Sequence, residues 1–167
     1  WFQAVMNATR TSYLLALFGG ALLSFVTQST TAVTLIALTM VNAGVLSVQQ
    51  CTMIIYGGNV GSTFSRMILA SGLRGSSRQI ARFQDGFKIL GTVLFVSLFY
   101  VEILGGVPLV LALVSRISGE AHVQMALVNL VYNVVVAVLV TPVVKPVGRL
   151  LDWLWPATAA EDFAKVQ

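Results

Sequence analysis

Thr27-Gln28-Ser29-Thr30-Thr31 interrupts an apolar stretch that starts at Tyr13 and resumes at Ala32, and the reading of these five polar residues decides the fold. They lie inside a longer run, bounded by Arg10 and Arg66, with no Asp, Glu, Lys or Arg between its ends. As one straight helix at about 1.5 Å per residue, that run would far exceed a hydrocarbon core of about 30 Å, so it must fold back. The arms, Tyr13 to Val26 and Ala32 to Val41, are each too short to cross at that rise. Two short apolar arms around a polar tip predict a re-entrant helical hairpin over about residues 13–42. Irregular backbone at membrane depth is tolerated only where it lines a cavity or is buried in protein.

Asn42-Ala43-Gly44 closes the second arm, and the piece from about 48 to 70 is long enough to span. Gly57-Gly58-Asn59-Val60-Gly61 falls near its middle and predicts a break, giving a discontinuous transmembrane helix. Arg66, Arg74, Arg78, Arg82 and Lys88 then surround a Gly/Ser-rich turn, which the positive-inside rule places in the cytoplasm. A span over about 80–101 follows, then Glu102, Gly105, Gly106 and Pro108 and a short apolar run from Leu109 to Val114. A last span over about 123–144 ends at Pro142, Lys145, Pro146 and Arg149. Two crossings separate the basic clusters, so both fall on one side. Leu150, Leu151, Trp153, Leu154 and Trp155 suit an interfacial belt, and the polar tail 157–167 reads as disordered.

The whole composition agrees with lipid as solvent: 57% of 167 residues are hydrophobic, only 10% are charged, and mean hydropathy is +0.87. One transmembrane repeat domain over 1–156 is expected. The net charge of +4 comes from residues at segment ends, so it reports topology rather than a nucleic-acid partner. Cys51 is the only cysteine and His122 the only histidine, which excludes an internal disulfide and leaves no transition-metal ligand set. No HExxH, GxSxG or Walker A pattern occurs, so no enzymatic chemistry or organic cofactor is expected.

Chemistry concentrates at the two interruptions. Gln28, Ser29, Thr30 and Thr31 cluster at the hairpin tip, and Asn59, Ser62 and Thr63 follow a glycine pair; neither cluster carries a charge. A helix starting at such a break presents unpaired N–H groups and the positive end of its dipole, about 0.5 elementary charge, which binds an anion without a fixed cation. Hydroxyls and released carbonyls can hold a hard cation such as sodium, an arrangement that recurs in secondary transporters. The competing reading is that Ser and Thr glue helices together and Gly allows tight packing.

Gln28-Ser29-Thr30-Thr31-Ala32 resembles the Gln-Ser-Ser-Ser/Thr-Ala signature of the sodium-dependent phosphate cotransporter family. Gly57-Gly58-Asn59-Val60-Gly61-Ser62-Thr63 resembles its Gly-Ala-Asn-Ile-Gly-Thr-Thr partner, with Val41 to Gly44 as the family's connecting Val-Asn-Ala-Gly. Ala81-x-x-Gln84-x-x-Phe87-Lys88 and Ala126-x-x-Asn129-x-x-Tyr132-Asn133, 45 residues apart, are similar to its Ala-x-x-His-x-x-Phe-Asn elements. The resemblance implies that Gln28, Ser29, Thr30, Thr31, Asn59, Ser62 and Thr63 bind phosphate and the coupling sodium, with Gly58 and Gly61 shaping the backbone. It implies symport of inorganic phosphate across a cell membrane, expected to be a bacterial inner membrane. Family members pair two such repeats of inverted topology, and this chain resembles the second, C-terminal one. A second repeat, in a longer chain or a second copy, is therefore expected as partner, as is the lipid bilayer. Two alternatives stand beside this: a non-transporting scaffold or regulatory subunit, and a sodium-coupled carrier of another small anion. Outside the motifs, spacing predicts an Asp85–Lys88 pair near the cytoplasmic end, and Arg66 reads as a topological anchor.

Overall fold

The computed structural model describes residues 12–72, 75–103 and 108–154, and every regular element among them is helical. The order is α1 (Tyr13–Thr27), α2 (Thr30–Asn42), α3 (Val48–Leu69), a 3-10 turn (Ala70–Gly72), α4 (Gly75–Ile103), α5 (Leu109–Ile117), α6 (Ala121–Val140), a second 3-10 turn (Thr141–Val143) and α7 (Val144–Leu154). The Gly105–Gly106 loop, Arg74, Trp155 and the polar tail lie outside the described residues.

α1 and α2 are joined only by Gln28 and Ser29, as the polar interruption predicts. Gln28 ends α1 in the left-handed region (φ 56°), and Ser29 starts α2 by accepting a hydrogen bond from the Ala32 amide at 3.2 Å. Gly44 (φ 68°) then turns the chain after α2. The next helix opens on a reciprocal cap: Ser47 Oγ accepts from Gln50 N (3.2 Å) and Gln50 Oε1 accepts from Ser47 N (2.8 Å).

From that cap α3 runs without interruption to Leu69, through all three glycines of the second motif. The expected break is absent, and packing gives the reason. Gly57 and Gly61 lie one turn apart on a single face, and the backbone of α1 rests directly on it. A Cβ at Gly57 would collide with the Leu17 carbonyl, one at Gly61 with the Ala21 carbonyl, and one at Gly20 with the Ile54 carbonyl. These glycines remove side chains so that two helices can touch backbone to backbone, the use of small residues common between membrane helices. Residues 51–59 of α3 are all buried, and an opened ladder there would leave backbone groups without water or partner.

The contact also fixes direction. Leu17 meets Gly57, Ala21 meets Gly61 and the Phe25 carbonyl accepts from Ser65 Oγ (2.6 Å), so α1 and α3 run parallel with α2 returning between their ends. α4 and α6 are antiparallel: Gly91 lies against Val136, while Phe87 shares a pocket with Leu139 and Val140. Tyr56, Phe95 and Tyr132 join α3, α4 and α6 at the centre, with ring centroids 5.2–5.7 Å apart. Thr92 Oγ1 lies 3.0 Å from the Tyr132 hydroxyl, which donates to the Lys88 carbonyl at 2.9 Å. This topology brings the start of α4 and the end of α6 to one end of the bundle, so Arg78 and Arg82 share that end with the chain around Arg149.

Ala121–Val143 is the one helical stretch among the described residues both long and apolar enough to cross a bilayer by length and composition. α1 and α2, at roughly 22 and 20 Å, are too short to cross alone. Glycine substitution separates packing from helix propensity. Gly61→Ala is expected to destabilise by about 1–3 kcal/mol through overpacking against α1, whereas Gly86→Ala, whose added methyl meets nothing within 4 Å, stabilises α4 by about 0.5–1 kcal/mol. Thermal unfolding of the detergent-solubilised variants checks both signs.

Candidate functional site

The antiparallel return of α2 lays the hairpin tip beside the middle of α3, so the two polar motifs meet. Thr30 Oγ1 donates to Ser62 Oγ at 2.9 Å, with the Gly58 carbonyl at 3.5 Å. Ser62 Oγ in turn donates to the Asn59 carbonyl at 3.1 Å. Gly58 leaves the space between them: a Cβ there would lie 3.5 Å from Thr30 Cγ2, 3.7 Å from Val33 Cγ1 and 3.8 Å from Ser24 Cβ. Unlike its neighbours at 57 and 61, this glycine faces the hairpin tip rather than the α1 backbone.

The motif residues divide by exposure. Asn59, Ser62 and Thr63 are buried on α3, Ser29 and Thr30 are partly buried, and Gln28 and Thr31 are exposed at the tip. Asn59 Nδ2 donates to the Ile55 carbonyl at 3.1 Å, and Thr63 Oγ1 donates to the Asn59 carbonyl at 2.8 Å. Gly61 belongs to the α1 contact, one turn from the cluster around Thr30. Because α3 is continuous, its dipole does not end at the site. The dipole contribution comes from α2 alone, whose first N–H groups, at Thr30 and Thr31, have no intrahelical acceptor.

Three residues beyond the motifs belong to the same region. Ser24 is fully buried next to Gly58, and its Oγ has no hydrogen-bond partner. Its signal in the sequence is position: one helical turn before Gln28, on the α1 side of the tip. Arg66 Nη2 donates to Thr63 Oγ1 at 3.1 Å and pairs with Asp85 Oδ1 at 3.4 Å. Asp85 therefore takes its ion-pair partner from α3 and not from Lys88, three residues along its own helix. Gln84 is exposed, while Asn133 Nδ2 donates to the Asn129 carbonyl at 2.8 Å. These two amide-bearing elements sit on the packed pair α4 and α6, with Gln84 lining a pocket beside Arg66.

Buried uncharged hydroxyls and carbonyls thus meet a polar tip in an apolar chain whose described regular elements are all helical. The chain matches the family model for the Na+/Pi-cotransporter over residues 1–135 and so belongs to the sodium/phosphate cotransporter family. It is thus a membrane protein of a transporter family in which sodium is the coupling ion and phosphate the substrate. No curated protein and no solved structure matches it.

Stability at the tip tests the geometry. Gln28→Gly removes left-handed strain and is expected to raise stability by up to about 1 kcal/mol, whereas Ser29→Ala removes a cap and lowers it by about 1 kcal/mol. Both are read by thermal unfolding, and the opposite sign at Gln28 would contradict the turn described.

Proposed function

We propose that this chain supplies half of a phosphate and sodium site in a multi-pass symporter, the hairpin α1–α2 being re-entrant and a second, inverted repeat closing the site. The observation that carries this reading is the Thr30–Ser62 contact, which joins the two polar motifs at mid-helix depth. Ser24 Oγ, Thr30 Oγ1, Ser62 Oγ and the Gly58 carbonyl form the oxygen set for sodium, since hard cations take hydroxyl and carbonyl oxygens. Ser24 fits because a fully buried hydroxyl without a partner is costly unless something ligates it.

Phosphate is received at the tip. The first N–H groups of α2, with Gln28, Ser29, Thr31 and Asn59 around them, present donors and a partial positive charge to an oxyanion. Sodium next to the bound anion offsets charge that a low-dielectric site would otherwise reject, so anion binding requires the cation. Exposure of Gln28 and Thr31 supports a second repeat that covers them. Placing the shared basic end in the cytoplasm follows from the positive-inside rule. Alternating access then moves the repeats against one another around the site, with no covalent step.

Labelled phosphate uptake into proteoliposomes of the full-length protein, in sodium or potassium, tests the reading. Uptake is expected only with sodium. Ser24→Ala and Ser62→Ala are each expected to reduce it about tenfold or more, the loss of one ligand to a charged species. Competition by excess arsenate but not sulfate identifies the anion class. Uptake indifferent to sodium, or unaffected by both substitutions, would contradict the assignment.

A further inference from the structure

Thr63 is a motif hydroxyl, yet its oxygen is already engaged. It donates to the Asn59 carbonyl at 2.8 Å and accepts from Arg66 Nη2 at 3.1 Å. A metal ion bound to Thr63 Oγ1 would have to share that oxygen with a guanidinium, and two cations on one oxygen compete for its lone pairs and repel each other. Thr63 is fully buried, while the Arg66 side chain is 41% exposed, so water screens them only in part. The residues present therefore do not fit sodium at Thr63 while Arg66 stays in place.

We infer that Arg66 is a tethered cation that occupies, at Thr63, the position a sodium ion would otherwise fill. The inference rests on the family's sodium coupling and deepens the proposed site: among the motif hydroxyls, Thr63 holds the guanidinium and not sodium. Asp85 is the positioning residue that makes the substitution possible. Its carboxylate reaches across from α4, with side-chain exposure of 5%, and holds the guanidinium through Oδ1 at 3.4 Å. Its second oxygen, Oδ2, and Arg66 Nε are both buried without partners, so the ion pair leaves a buried carboxylate oxygen unsatisfied. Arg66, Gln84 and Asp85 line an open pocket of about 290 Å³ between α3 and α4, which provides entry for a small ion.

Removing the guanidinium leaves a carboxylate oxygen pair, the Thr63 hydroxyl and a route from solvent, a set of hard oxygens suited to sodium. Arg66→Met is accordingly expected to gain a sodium site rather than lose one. Arg66→Lys keeps the cation, and Arg66→Met/Asp85→Asn lacks the charge to attract sodium, so neither gains it.

The test is equilibrium binding of radiolabelled sodium to the purified full-length protein, counted per chain at saturation, with sodium-specific thermal stabilisation against potassium measured on the same samples. Arg66→Met should bind one more sodium ion than the parent protein and show a larger sodium-specific rise in melting temperature; the lysine and double variants should match the parent. Equal sodium counts in parent and Arg66→Met would overturn the inference, as would a gain that persists in the double variant. Arg66→Gln, which keeps a polar side chain without the charge, provides the same comparison if the methionine variant does not fold. Because the count requires no phosphate movement, a parent protein that fails to transport phosphate contradicts the proposed function and leaves the sodium comparison readable.

Discussion

Everything in this fold depends on the contact between the backbones of α1 and α3. Gly20, Gly57 and Gly61 carry no side chain at the points where the two helices cross, and any added carbon would meet a carbonyl of the facing helix. Close approach fixes the parallel direction of α1 and α3, and the two-residue connection then forces α2 to return along α3. Only this return brings Thr30 to Ser62 and sets Ser24 beside Gly58. The polar site is thus a consequence of apolar packing geometry.

The same constraint explains why α3 tolerates so many polar residues in its buried length. Thr52, Asn59, Ser62 and Thr63 each donate back to a carbonyl three or four residues earlier, and Ser65 donates across to α1. Their lone pairs remain for a ligand while their protons satisfy the helix, which suits sites that hold cations through oxygen. At Thr63 that capacity is met by Arg66, and the charge of Arg66 is met by Asp85. The two neighbouring hydroxyls therefore differ in their donor: Ser62 accepts from the neutral Thr30 hydroxyl, Thr63 from a cationic guanidinium.

Helix ends and polar clusters were legible in the sequence because their signals are local. Gln28-Ser29-Thr30-Thr31 marks a turn and Asn42-Ala43-Gly44 a stop, and each lies where the structure changes direction. The glycines of α3 were not, because glycine signals either a break or a close approach. The choice between them lies with Leu17 and Ala21, some 40 residues away. Spacing of Gly57 and Gly61 by four was the available clue to close packing. Spacing likewise suggested Lys88 for Asp85, since sequence displays neighbours along one helix, whereas the partner, Arg66, comes from another. Ser24 belongs to no motif; its place one helical turn before Gln28 is its one sequence signal, and burial without a partner sets it apart in the structure.

The central claim is that the hairpin tip and the middle of α3 form one site. Its most direct test is cross-linking of Thr30→Cys and Ser62→Cys in the full-length protein with Cys51→Ala, in membranes, with sodium or potassium present. Side-chain oxygens 2.9 Å apart place the introduced thiols within disulfide reach, and the account predicts rapid cross-linking in either salt, because the two cysteines replace hydroxyls of the sodium set itself. Absence of cross-linking under strong oxidation would contradict it.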